Sequence, residues 1–392
     1  MVIHKTFYLH IKTDIMQIGK IMSGSNIAIR RLQNQQLDHH LFKKPEELVA
    51  WFGGVQAQDY PGAKWAVSER LKNYTDANIE QSIGDRKIVR TWAMRGTLHF
   101  VSASDIHWIL SLLAPRIIAR NIRRYKELEL DEETLKRSNE ILENALQDGK
   151  HLTRRELLAI LKENGISTEG QRASYMLQRA SLDGLICQGG MQSNNNPIFI
   201  SMDELPKTKT LDRHKSLAEL AKRYFKSHGP ATLQDFVWWS GLLLNDAKAG
   251  LENVESQLLS ETIENKSYWL SGSKEGAQHS QMFHLLPSFD EYIVGYKDRS
   301  ALLEKMNSKN TSIKNIMYPT IVMNGQIMGT WKRRFQKNEV IIELKPYIEL
   351  KMIENNALDE AANHFAKFLE MPVHTKVIPL NKGFFWDKIT HV

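Results

Sequence analysis

A unit of three helical segments followed by a two-stranded hairpin recurs three times along this chain, and no other feature constrains the fold as strongly. Short helix-and-hairpin units cannot bury their apolar faces alone, so copies in one chain stack on one another. In the first copy NIAIRRLQNQQL and KPEELVAWFGGV read as helices, the second with Pro45 in its first turn, and PGAKWAVSERL as a third. KIVRTWAMRGTLHFVS follows: Val89, Thr91, Leu98, Phe100 and Val101 favour strand, and Arg95-Gly96-Thr97 supplies the turn. Ser102 to Asp105 carries a capping-box pattern and opens a further helix.

The second copy runs DEETLKRSNEILENAL, TRRELLAILKENG and TEGQRASYMLQRASLDGLI, with Met176, Leu177, Ala180 and Leu185 at helical spacing in the third segment. Thr153 and Glu156 form a capping box, and Gly165 ends that helix. CQGGMQSNNNPIFIS reads as a hairpin with a Gly/Asn-rich tip. After the linker MDELPKTKTLDRHK come KSLAELAKRYFKSHG, TLQDFVWWSGL with Thr232 and Asp235 as its box, NDAKAGLENVESQL and the hairpin ETIENKSYWLSG. Three helices and a wing make a winged helix, in which the third helix and the wing face nucleic acid. Such units also serve as protein–protein modules. Three in tandem on a chain of net charge +7 favour DNA or RNA.

From about Phe283 the pattern becomes alternating and β-branched, with Asn324-Gly325 as a two-residue hairpin signal and LDEAANHFAKFLE as a late amphipathic helix. The expected fold class is α+β: three tandem winged-helix units followed by a C-terminal β-rich domain that acts as scaffold. The expected divisions are an N-terminal extension at 1–24, winged helices at 25–128, 129–205 and 206–275, and the β-rich domain at 276–392. Asp290-Glu291 is the acidic pair there that a metal or acid–base reading could use. With no histidine in matched spacing, a structural role is the expectation.

Composition narrows the function classes. With 42% hydrophobic and 25% charged residues, the chain can bury a substantial core. The single Cys187 excludes a disulfide within the chain and any multi-cysteine zinc site, and points to a reducing cytoplasm. No apolar run reaches the roughly 18 residues of a membrane span. No metal, cofactor or membrane is expected, and the chain is expected to act as a monomer near the nucleoid.

The chemistry points to GGVQAQDYPGAKW, where Gly-Gly and Pro-Gly bracket Gln56, Ala57 and Gln58. VQAQD, TWAMRGTLHFVSASD, LLPSFDEYIVGYKDR and NGQIMGTWKRR together resemble the AlkZ-like winged-helix DNA glycosylases over nearly the whole chain from about Asn26. That resemblance implies a concave DNA-binding surface of three winged helices, double-stranded DNA carrying alkylated purines as partner, and excision of bases alkylated at N7 of guanine, interstrand crosslinks included. The family's Gln-apolar-Gln triplet falls on Gln56 and Gln58, with Ala57 as the apolar middle. A sister branch has Asp where this chain has Gln58.

Neutral amides suit such a substrate. Alkylation at N7 makes the purine cationic, so the leaving base is activated before it is bound. The remaining task is to position water at the anomeric carbon and set carbonyl dipoles near the developing positive charge. The bland alternative is that both glutamines cap the neighbouring helices. His99 stands either as a packed strand histidine or, through the RGTLH match, as part of the lesion pocket. Arg95 is read as a phosphate contact at the wing tip or a solvated turn residue, and Trp92 as core. Arg116, Arg120, Arg123 and Arg124 make a basic stripe that tracks phosphates. Lys64 with Asp59 raises Schiff-base chemistry, but an ordinary exposed helical lysine is the expectation. Two further functions compete with a glycosylase: a transcription regulator reading DNA without catalysis, and a scaffold that binds lesions and releases nothing.

Overall fold

The first two hairpins expected from the sequence do not stand apart. In this computed structural model, which describes residues 24–192, 196–208, 211–272, 283–303, 318–347 and 352–378, they join in one six-stranded sheet ordered β1-β3-β2-β5-β6-β4. Its strands are β1 (Val55–Gln56), β2 (Ile88–Trp92), β3 (Leu98–Ser102), β4 (Leu152–Thr153), β5 (Ile186–Gln192) and β6 (Asn196–Ser201). The seam is the antiparallel contact of Arg90 on β2 with Gln188 on β5. The hairpin of β7 (Leu259–Ile263) and β8 (Lys266–Leu270) is a separate two-stranded sheet. The expected N-terminal extension lies outside the described residues except for Gly24, as do the hairpin tip at 193–195 and residues 209–210 of the linker.

The helices preceding β2 are α1 (Gly24–Asn34), α2 (Pro45–Phe52), α3 (Tyr60–Ser68) and α4 (Asp76–Gly84). α4 is an addition to the sequence expectation: only two short turns, capped by Thr75 and Asn78, with Ile79 and Ile83 on its buried side. α5 (Ile106–Glu127) is the longest helix and links the first hairpin to α6 (Glu132–Ala145), α7 (Arg154–Glu163) and α8 (Arg172–Leu182). Its expected capping box does not form. Asp105 instead accepts from the Trp108 indole at 3.0 Å and from Arg223 at 2.6 and 3.0 Å, while Ser102 pairs with Ser104. The boxes at Thr153–Glu156 and Thr232–Asp235 do form, the second opening α10 (Leu233–Ser240), which lies between α9 (Arg213–Ser227) and α11 (Leu244–Glu252).

A second sheet runs β13-β12-β11-β10-β9, built from β9 (Phe283–Leu286), β10 (Thr320–Met323), β11 (Gln326–Gln336), β12 (Glu339–Pro346) and β13 (Val373–Val377). Asn324 and Gly325 adopt the positive φ angles that the tight β10–β11 turn demands. This sheet and α13 (Met352–Leu369) share one core with α2, α3 and α4: Trp65 on α3 meets Phe365 at 4.9 Å and Phe368 at 5.1 Å, and its indole donates to Leu285 O. The C-terminal region is therefore built into the first unit's core as well as supporting it. Burial of Trp65, Phe365 and Phe368, large aromatic areas, is the main force joining them. Among the described residues no helix is long and apolar enough to cross a membrane.

Candidate active site

The Gln-Ala-Gln segment is not helical because both of its neighbours are helices that end on their own capping residues. α2 stops at Gly53 in the left-handed conformation, φ 78°. Asp59 caps α3 by accepting from Gly62 N. The glutamines are thus free of the capping role. Val55 and Gln56 pair with Phe100 and His99 of β3, and Ala57 N donates to Leu98 O at 2.8 Å. Gln56 and Ala57 are buried at this sheet edge, and the chain bends at Gln58, which is exposed.

Two buried charges hold this strand. Glu291 Oε1 accepts the Gln56 backbone N–H at 2.7 Å, while its Oε2 accepts from the Trp239 indole at 2.9 Å and from His228 Nε2 at 3.2 Å. Burial opposes ionisation of Glu291, but the His228 hydrogen bond prevails and holds the carboxyl at about 2. Burial lowers the pKa of His228, leaving a neutral ring that donates from Nε2 and meets the Ser227 hydroxyl at Nδ1. From the other side Arg90 donates to Ala57 O at 2.9 Å and Gln58 O at 3.4 Å, with a third contact to Gln188 Oε1 at 2.8 Å. Burial lowers the Arg90 pKa to about 10, which leaves it a cation at neutral pH.

Across the sheet, Gln56, His99 and Thr91 stand directly beside one another on β1, β3 and β2 and project to the same face. All three are buried, and Gln56 Oε1, His99 Nε2 and Thr91 Oγ1 have no hydrogen-bond partner among the described residues. His99 Nδ1 donates to Thr97 O at 2.9 Å, and burial, helped by the Arg95 charge, lowers its pKa to about 4. The ring is neutral at physiological pH, so Nε2 carries a lone pair. Gln58, two residues along, is exposed. The row offers two adjacent acceptors inside the protein and an amide at its open edge.

The other expected residues divide. Arg95 sits at the β2–β3 turn with φ 58°, but its guanidinium is turned inward onto the carbonyls of Trp238 and Trp239 at the end of α10. It acts there as a helix C-cap cation. Arg120 donates to Arg95 O and Arg116 to Gly241 O, each at 2.6 Å, so these two exposed arginines brace the β2–β3 turn and the end of α10 respectively. Farther along α5, Arg123 and Arg124 both pair with Glu127, although Arg123 remains 93% exposed. Lys64 corrects its expectation: it is buried, with Nζ 2.8 Å from both Asp76 and Glu80. Trp92 packs between two cores. Asp290, also buried, makes a two-pronged ion pair with Arg70. Sequence reasoning missed Arg90, Thr91, His228, Trp239 and the part Glu291 plays. An arginine inside an otherwise apolar strand, KIVRTW, was the one local signal available.

A family model described as DNA glycosylase AlkZ-like matches residues 49–368. The chain belongs to that family. It is 24% identical over 363 residues to the interstrand DNA cross-link repair glycosylase of Streptomyces sahachiroi, covering 86% of this chain and 94% of that protein. Its fold is similar to the solved structure of the Streptomyces sahachiroi DNA glycosylase AlkZ, with a TM-score of 0.72 at 20% identity, covering 91% of this chain and all of the other.

Proposed function

We propose that this chain hydrolyses the N-glycosidic bond of N7-alkylated guanine in double-stranded DNA, and that it also unhooks interstrand crosslinks made through that atom. The observation that carries the reading is the buried Gln56 Oε1, without a partner among the described residues, beside the neutral His99 Nε2. Two acceptors side by side hold the two protons of one water and turn its lone pair outward, toward an anomeric carbon. As the bond breaks, positive charge passes from the purine to the sugar. Carbonyl oxygens already aimed at that point stabilise it without reorganisation. Gln58 supplies the second such dipole from the exposed edge. The water's oxygen bonds to the anomeric carbon as the bond to the purine breaks, and the base leaves neutral, so no strong general acid is required. The proton the water sheds passes to the His99 Nε2 lone pair and on to solvent.

The arginines of α5 and the family's DNA substrate support phosphate contact as the source of affinity. On this reading the protein is monofunctional, acts as a monomer, and works on nucleoid DNA in the cytoplasm, with three winged-helix units along the divisions expected from sequence. The deciding experiment incubates the protein with duplex DNA containing one N7-methylguanine and measures free base. Release of the base is expected, as is strand separation of a guanine-N7 crosslinked duplex. A gel shift without release would identify a regulator instead, and lesion-selective binding without release would identify a scaffold.

A further inference from the structure

We propose that Glu291 is a positioning residue for excision, a buried anion that fixes the Gln56 strand so that its amide oxygen faces the reacting carbon. The inference rests on the assignment of Gln56 as a reacting amide and goes beyond it. β1 is only two residues long, and in a ladder that short the strand cannot fix its own orientation. Its pairing to β3 leaves the Gln56 N–H to be satisfied from elsewhere, and Glu291 Oε1 does so at 2.7 Å. A hydrogen bond to an ionised acceptor is roughly twice as strong as a neutral one and correspondingly directional.

The carboxylate is itself immobilised. Phe289 at φ 62° and Asp290 bound to Arg70 set the turn from which Glu291 projects, on the N-terminus of the short helix Glu291–Val294. Its second oxygen is gripped by Trp239 of α10 and His228, which belong to the third helical unit. Glu291 therefore connects three regions: the strand that carries Gln56, the second sheet, and the helices around Trp239. An uncharged isostere cannot replace it. A carboxamide has one acceptor oxygen, so its NH₂ group would face either the Gln56 N–H or the Trp239 N–H, donor against donor. Misplacement of a reacting group by about 1 Å costs on the order of 100-fold in rate.

The test is a double-mutant cycle of Glu291→Gln with Gln56→Ala, read as single-turnover release of N7-methylguanine, lesion-DNA affinity and thermal melting. Expected for Glu291→Gln is a loss of about 10-fold or more in excision with affinity nearly unchanged. In the Gln56→Ala background the same substitution should add little, since the group it positions is gone. An equal loss in both backgrounds overturns the proposal, because Glu291 then acts independently of Gln56. So does a wild-type rate for Glu291→Gln, which leaves the assignment of Gln56 standing. A wild-type rate for Gln56→Ala defeats that assignment instead and the proposal with it. If Glu291→Gln does not fold, Trp239→Phe removes one of the three donors and fills nearly the same space. That variant should excise several-fold more slowly at unchanged affinity, and wild-type excision by it overturns the proposal.

Discussion

Gln56 and His99 face one another across β1 and β3, each presenting a buried acceptor atom that no group among the described residues satisfies. Unsatisfied buried acceptors cost roughly 1–3 kcal/mol each, so two side by side mark a place that a bound water can occupy. Replacing either glutamine by alanine should slow excision of N7-methylguanine by about 100-fold or more, the scale seen when one preorganised electrostatic group is removed. DNA affinity should change little. Gln58→Asp should be milder than Gln58→Ala, since a carboxylate at the exposed edge still opposes the sugar's positive charge. Single-turnover release by the three variants checks this, with melting to exclude misfolding; wild-type rates in both alanine variants would refute the site.

Neutral His99 gives a pH signature. Excision needing neither a protonated acid nor a titrating base should be level from about pH 6 to pH 8, because His99 has its lone pair throughout that range. A bell-shaped profile centred near neutrality would contradict the mechanism. Stability should follow its own course. The folded pKa of His99 is about 4 against 6.5 for the free side chain, so between those values the unfolded chain binds the extra proton and stability falls as pH falls. Glu291 and Glu69, held at about 2 against 4.5, contribute stability above 4.5 that is lost as pH drops toward 2. His364 works oppositely. Burial lowers its pKa, but the Glu69 contact more than compensates and raises it, so its contribution is full below 6.5 and fades above its folded pKa. Between pH 7 and pH 5 His99 and the likewise burial-lowered His228 oppose the single His364, and the two carboxylates join them at lower pH. Melting temperature should therefore fall from about pH 7 to pH 5 and faster below. A rise on acidification would contradict this.

The local part of the site was legible in the sequence and the long-range part was not. Gly53 and Asp59 announce two helix ends, which leaves Gln56 to Gln58 outside any helix; the capping chemistry is all within a few residues. Glu291 meets Gln56 across 235 positions, and nothing local in FDEY says that one carboxylate binds Arg70 and the other a strand. The merging of two hairpins into one sheet at Arg90 and Gln188 is invisible for the same reason. The inward turn of Arg95 is not legible locally, because a turn arginine looks solvated until α10 brings its C-terminal carbonyls to it. α4 escaped notice because two turns with two buried isoleucines give hardly any periodic signal.

Binding should be dominated by phosphate contacts and fall steeply with salt. Arg116, Arg120 and Arg123 are exposed along α5, and each alanine variant should reduce the slope of log affinity against log salt by about 1 at most. Arg120 also braces the Arg95 turn and Arg116 the end of α10, onto which Arg95 is turned, so their removal should cost some excision as well, whereas Arg123→Ala should affect affinity alone. Salt-independent binding would argue against a DNA partner.

Excision should persist in EDTA and leave no borohydride-trapped adduct. A lysine nucleophile must be free to reach the sugar, and the buried Lys64 has its Nζ held at 2.8 Å by both Asp76 and Glu80. Lys64→Ala should therefore lower stability and leave no change in product chemistry. Loss of activity on chelation, or a trapped covalent complex absent from the Lys64→Ala variant, would overturn this expectation.

The Arg70–Asp290 pair should dominate the stability of the region behind the site. Both side chains are buried, joined at 2.9 and 2.7 Å, and Arg70 also donates to Gln35 O, Gln35 Oε1 and Ala66 O. Asp290 additionally accepts from Tyr292 N, closing the turn that delivers Glu291. Removing one partner strands the other's charge in the interior, a loss on the order of 3–5 kcal/mol. Asp290→Ala should be destabilised by that amount in urea unfolding, and its residual folded fraction should excise slowly because Glu291 loses its anchor. Arg70→Met combined with Asp290→Ala should cost less than the sum of the two single changes, since neither variant group then leaves a buried charge unmatched. Additive losses in that cycle would mean that the two residues act separately and that the pair is not what holds the turn.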